Sequence, residues 1–311
     1  MVNGINLAFQ FIGSFAFIVL AAAGLAIIFG IMGVINLAHG EFILVGAYSA
    51  TLSHTKLGLP LVIAMPVGAL TAAAFGLVVE RTIISAWLPN LISQRVLGRD
   101  VVEPLYNRLA DSMVVTFGLS LAVTQLARIQ FGNSIDQIGT PFGSISYGEF
   151  SYAEYRLVLA GAAVAILVAS YYLFTRTEYG MRARATIQDE DTARALGVNT
   201  ERTYMTTFAI GSGLAGLTGA LFAPVISMQP TLGNSFLVEA FVAVVVGGPS
   251  VVLGTALSGG VLGVINATFT NLFGTFFGRI ALLVAAMIAI RVLPDGLTGF
   301  VERVRERREE S

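Results

Sequence analysis

Residues 27–50 read IIFGIMGVINLAHGEFILVGAYSA, and this stretch decides how the whole chain is understood. Apolar sequence suited to a bilayer is interrupted by Asn36, His39 and Glu41 and then resumes. No charged residue precedes Glu41, and the next after it is Lys56. Polar and ionisable groups inside bilayer-length apolar sequence are costly, so they face a bundle interior or a cavity rather than lipid. Gly33 and Gly40 flank the patch, as a broken or bent helix requires. The stretch therefore predicts an interrupted transmembrane segment, and the chain reads as a transport protein.

Composition extends this reading to all 311 residues: 55% are hydrophobic and only 12% charged, against about 25% charged in soluble domains. Backbone groups in lipid must be satisfied within the segment or in a closed barrel. The apolar runs here are too long for the alternating strands of about ten residues found in a barrel. The expected fold class is thus all-α, a polytopic membrane helical bundle of eight or nine spans. Each crossing needs about 20 apolar residues, and the candidates lie near 7–29, 35–53, 59–79, 109–127, 157–175, 203–223, 236–252, 254–273 and 279–293. The second and seventh are short or polar, which predicts broken or re-entrant segments. The first 30 residues lack a basic leader and read as a retained span.

Arginines set the expected orientation. They cluster in linker 80–108, in loop 176–202 and in the tail after the last span, and by the positive-inside rule all three face the cytoplasm. The amino terminus is then outside, and loop 128–156, rich in Gly, Ser and Tyr, is an external loop able to form a small cap. Linker 85–108 reads as a surface helix or loop, and 295–311 as a charged cytoplasmic tail.

Several chemistries find no support. There are two histidines and no cysteine, so no metal-ligand set or Cys-His pair is expected. The lone lysine, Lys56, stands in SHTKLGL, so no phosphate loop of the form G-x-x-x-x-G-K-[ST] occurs. Any ATP used must be hydrolysed by another subunit, and this chain is expected to bind no cofactor. A net charge of −1 suggests no nucleic-acid partner, leaving membrane lipid as the immediate surroundings.

Translocation-pathway candidates are Asn36, His39, Glu41 and Glu239, the last standing in the apolar run SFLVEAFVAVVVGG. Each either lines a route for a small polar solute or pins a helix break or interface. Gly247, Gly248 and Pro249 break the run after Glu239, either offering backbone groups to a solute or turning the chain inward. Gly211, Ala215 and Gly219 lie four apart, as do Gly259 and Gly263. Such stripes let helices pack closely, within the bundle or between subunits. In loop 176–202, residues 189–196 predict a short charged helix stopped at Gly197, either a surface linker or a docking element for a soluble partner.

Five stretches carry a family resemblance: INLAHGEFILVGAY at 35–48, TRTEYGMRARATIQDEDTARALGVNTERT at 175–203, GSGLAGLTGALFAPV at 211–225, LVEAFVAVVVGGPSVVLGT at 237–255 and LPDGLTG at 293–299. In this order they resemble the permease subunits of ABC importers for branched-chain amino acids, a group that also includes urea and short-chain amide permeases. The resemblance implies a single multi-pass permease domain in the inner membrane. It further implies a second homologous permease, two cytoplasmic ATPases that use ATP and Mg, and an extracytoplasmic solute-binding protein. It identifies 189–197 as the ATPase coupling element, with Asp189, Asp191, Ala193, Arg194, Leu196 and Gly197 as its candidates. Asp191-Thr192-Ala193 departs from the Glu-Ala-Ala with which the family's coupling pattern begins. The substrate implied is a branched-chain or related amino acid, with urea or a short-chain amide as the alternative.

Overall fold

A computed structural model describes residues 2–97, 104–106, 108–135, 137–147 and 150–309. In chain order the helices are α1 (Val2–Met32), α2 (His39–Thr55), α3 (Leu61–Val79), α4 (Trp87–Leu97), α5 (Leu109–Phe131), α6 (Tyr155–Arg176), α7 (Glu178–Gln188), α8 (Glu190–Ala195), α9 (Thr200–Phe222), α10 (Asn234–Gly247), α11 (Val251–Phe273), α12 (Thr275–Val292) and α13 (Gly296–Glu309). Between α5 and α6, strands β1 (Ser144–Tyr147) and β2 (Phe150–Ala153) form an antiparallel hairpin with Ser144 opposite Ala153. This hairpin lies in the stretch expected to form a cap.

Among the described residues, seven helices are long and apolar enough to cross a membrane. They are α1, α3 with its continuation to Ile84, α5, α6, α9, α11 and α12. The protein is a multi-pass membrane protein. The second and seventh expected spans are α2, of 17 residues, and α10, of 14. Both are shorter than the about 20 residues of a regular crossing, as the short or polar segments in the sequence led one to expect, and α2 is preceded by the irregular stretch 33–38.

The chain divides into two compact units. One comprises 27–138 and 171–237. Its centre is α2, α3 and α9, which approach closely because small residues meet at each crossing. A Cβ on Gly46 would strike the backbone of Gly216, and one on Gly216 would strike Ala72 and the Gly68 carbonyl. Ala50, Ala64 and Ala220 continue the seam, and Phe42 packs between the rings of Phe75 and Phe208. Close backbone approach replaces the hydrophobic drive that helices lack in lipid. Gly219 of the predicted stripe sits on this seam, against Ile43 and Ala47, while Gly211 and Ala215 are buried. At the end of α3 the backbone widens into a π-turn over Glu80–Ile84.

The other unit comprises 1–26, 139–170 and 238–311. Here Gly259 and Gly263 of α11 receive Val19 and Phe15 of α1. Two polar pairs stitch the same helices: Ser14 Oγ donates to Asn266 Oδ1 at 2.9 Å, and Asn6 Nδ2 to Asn271 Oδ1 at 2.8 Å. Such bonds between apolar helices contribute about 1 kcal/mol each. Tyr152 of β2 stacks on Phe9 with ring centroids 4.5 Å apart. Apolar residues such as Val114, Phe117 and Ile129 of α5, or Met287 and Ile288 of α12, are exposed. In a bilayer, apolar side chains suit that position.

Candidate functional site

The helix break opens at Gly33, whose φ of 63° lies in the left-handed region, and whose N–H still reaches the Phe29 carbonyl at 3.1 Å. The chain then runs without regular structure until α2 begins at His39. Asn36 organises this gap. Its Oδ1 accepts from the Ala38 N–H at 3.0 Å and its carbonyl accepts from the His39 N–H at 3.2 Å, a local turn that starts the next helix.

Two further backbone donors of the break are met by α5, whose hydroxyls were not among the expected site residues. The Ile35 N–H donates to Ser112 Oγ at 3.3 Å, and the Leu37 N–H to Thr116 Oγ1 at 3.0 Å. One turn further on, Ser120 and Thr124 donate their hydroxyls to Glu41 Oε1 at 2.8 and 3.2 Å. Ser112, Thr116, Ser120 and Thr124 are spaced four apart, so they form one stripe along the helix. That spacing was a signal available in the sequence. The stripe serves unwound backbone that lipid could not satisfy.

Asn36, His39 and Glu41 are therefore brought together, all buried, at one helix start. Glu41 Oε2 and Asn36 Nδ2 have no hydrogen-bond partner among the described residues. One carboxylate oxygen is held and the other is left over. Between His39 and Glu41, Gly40 packs backbone to backbone against Gly233, so a second irregular segment, before α10, meets the first.

Glu239 lies in the other unit, and a sequence-distant partner holds it. Arg279 Nη2 of α12 contacts Glu239 Oε1 at 2.8 Å, with Glu239 buried and Arg279 about half exposed. Replacing Arg279 with alanine should destabilise the protein by about 1–2 kcal/mol. That is less than the 3–5 kcal/mol lost when a fully buried pair is broken, because the arginine is only half enclosed. Thermal unfolding in detergent checks this, and Arg279→Lys should recover most of the loss. The break after Glu239 is also used by the protein itself. Thr298 Oγ1 donates to the Gly247 carbonyl at 2.9 Å, and the turn at 295–296 packs on Gly248. Of the two readings of that break, this geometry favours the turn.

The charged loop folds as two short helices. Thr177 caps α7 by accepting from the Gly180 N–H. Asp189 caps α8 by accepting from the Thr192 N–H at 2.9 Å. Arg194 pairs with Glu190 at 2.6 Å, and Gly197 ends the helix with φ 88°. Ala193 is buried beneath the helix, whereas Asp191 and Leu196 are exposed. With Met181 and Ile187, also exposed, Leu196 gives this non-spanning segment an apolar outer surface. Hydrogen bonding to Thr192 holds the Asp189 carboxyl below its usual range. A depressed folded-state value gives support to α8 that is present above the ordinary carboxylate range and lost as pH falls below it, through the depressed folded-state value. Protection of the Thr192 amide, taken relative to its intrinsic exchange rate at each pH, should fall on acidification, and in Asp189→Ala it should already be low at neutral pH.

The family model described as "Branched-chain amino acid transport system / permease component" matches residues 7–293. The chain is 24% identical to the probable branched-chain amino acid transport permease protein LivH of Methanocaldococcus jannaschii, over 91% of this chain and 88% of that protein. It is 26% identical to the high-affinity branched-chain amino acid transport system permease protein LivH of Escherichia coli, over 96% and 94%. It is also 24% identical to the LivM permease protein of the high-affinity branched-chain amino acid transport system in E. coli, over 73% and 55%. No solved structure matches.

Proposed function

The chain belongs to the family of branched-chain amino acid transport permeases, and from that premise we propose that it is the transmembrane subunit of an ATP-driven importer for branched-chain or related amino acids. The observation that carries the reading is the extent of the family match, which runs through both the polar break at 33–41 and the segment 177–197. The urea or amide alternative gains nothing from the relatives described, which are named for branched-chain amino acids.

In this reading the chain hydrolyses nothing. Two cytoplasmic ATPases bind ATP and Mg and dock on α7 and α8, where Met181, Ile187 and Leu196 offer apolar contacts framed by charge. A second permease completes the path, a role consistent with a weaker likeness to LivM beside that to LivH. A solute-binding protein delivers the amino acid from outside. The amino terminus lies outside and α8 inside, with α2 counted as a crossing; the distribution of arginines supports this orientation. Closure of the ATPases shifts α8, and the bundle alternates between outward and inward access. Glu41 and Asn36 line the route, because each keeps a buried polar atom that the fold does not use. A carboxylate oxygen suits the ammonium group of an amino acid.

The test is uptake by vesicles carrying the assembled importer, with labelled leucine and labelled urea offered in parallel, with and without internal ATP. Leucine accumulation that requires ATP is expected. Accumulation of urea alone would transfer the protein to the amide branch, and accumulation without ATP would sink the importer reading.

A further inference from the structure

The linker that precedes α5 returns to the end of α3 in a way the function above does not use. The Leu105 N–H donates to the Ile84 carbonyl at 2.9 Å, joining the linker to the π-turn. Tyr106 then donates its hydroxyl to Glu80 Oε1 at 2.5 Å. Glu80 is wholly buried at the first position of that turn, and Ser85 Oγ donates to its carbonyl at 2.9 Å. A buried carboxylate needs such donors, so Tyr106 is held firmly.

The other face of Tyr106 leads to α8. Its ring lies against that of Tyr204 on α9, centroids 4.4 Å apart at 34°. Tyr204 in turn donates its hydroxyl to Glu190 Oε2 at 3.0 Å, and Glu190 is the first residue of α8 and the ion-pair partner of Arg194. Two tyrosines, each anchored to a carboxylate, thus join the start of α8 to the π-turn of α3. Covalently, those points are more than a hundred residues apart.

We infer that Tyr106 and Tyr204 are positioning residues that transmit displacement of α8 to the end of α3, making the linker before α5 part of the coupling machinery. The inference rests on the reading of α8 as the ATPase-docking element. A π-turn is a place where a helix can change its winding, and α3 packs directly on α2, which carries Glu41. A push on Glu190 therefore reaches the helix that bears the proposed route through contacts that are all in van der Waals or hydrogen-bond range.

The experiment uses the complete importer in proteoliposomes and reads amino acid transported per ATP hydrolysed, together with ATPase retention on the permease. Tyr106→Ala and Tyr204→Ala should each lower that ratio by about three- to thirtyfold, the range expected of residues along a coupling network, with the ATPases retained. Because the two act in series, the double variant should fall no lower than the worse single one. Additive losses would overturn the inference, as would a wild-type ratio in Tyr106→Ala. Should the alanine forms not assemble, Tyr106→Phe decides, since it keeps the ring and removes only the hydroxyl that Glu80 accepts. A wild-type ratio there overturns the inference too. Leu196→Glu, on the exposed surface of α8, separates the two failures. If it releases or uncouples the ATPases while the tyrosine variants stay silent, the relay alone is wrong. If it is silent as well, the docking role of α8 is wrong and the relay falls with it.

Discussion

Gly46→Val should leave the permease unable to form a stable bundle. Even the Cβ of a smaller residue at this position would overlap the backbone of Gly216, and neither helix can retreat, because Gly46's own carbonyl lies close to Gly68 on α3. Overpacking a side chain into a formed core costs about 1–3 kcal/mol. Here the obstacle is main chain on two sides, so the upper end or beyond is expected. Size-exclusion profile and melting temperature of the purified complex read this directly. Gly118→Ala is the matched control: it lies in α5, where a Cβ meets nothing within 4 Å. That change should be neutral or stabilise by up to about 1 kcal/mol through helix propensity. If Gly46→Val behaves like Gly118→Ala, the α2–α3–α9 seam does not hold the fold.

Glu41→Gln should produce the largest functional loss with the least structural change. The amide oxygen can still accept from Ser120 and Thr124, but the second oxygen becomes a donor without charge. Leucine uptake is expected to fall at least about tenfold, equivalent to roughly 1.4 kcal/mol, with the melting temperature nearly unchanged. Glu41→Leu removes the acceptor as well and should also cost about 2–4 kcal/mol of stability, two hydrogen bonds to a charged group being lost. Normal uptake in Glu41→Gln, with stability lost in Glu41→Leu, would make Glu41 a pin for the break and nothing more.

What could be read in advance divides along a physical line. The long apolar helices, the interruption after Gly33 and the Gly197 stop are local consequences of composition and backbone freedom, so they stand in the sequence. Partners across the bundle do not. Arg279 was legible as a charge at the start of the last expected span, but its pairing with Glu239 depends on how α12 is placed beside α10. The hydroxyl stripe from Ser112 to Thr124 shows a regular spacing, yet hydroxyls in membrane helices commonly bond their own backbone, and only the gap at 33–38 gives the stripe its purpose. Likewise Gly211, Ala215 and Gly219 were visible as small residues, whereas the tightest contacts fall on Gly46 and Gly216, set by the crossing of three helices.

The buried first helix bears on how the protein is made. Most of α1 is enclosed, and its polar ties at Asn6 and Ser14 are to Asn271 and Asn266, some 250 residues later. A ribosome working at about 5–20 residues per second leaves these ties open for tens of seconds. During that time α1, free of charge throughout, can rest in the membrane among lipid chains. Its two hydrogen-bonding residues on the α11 side mark a place kept for a helix not yet synthesised. Nascent chains halted before residue 250 should therefore hold α1 accessible to lipid-phase crosslinkers, and release beyond residue 273 should close it off.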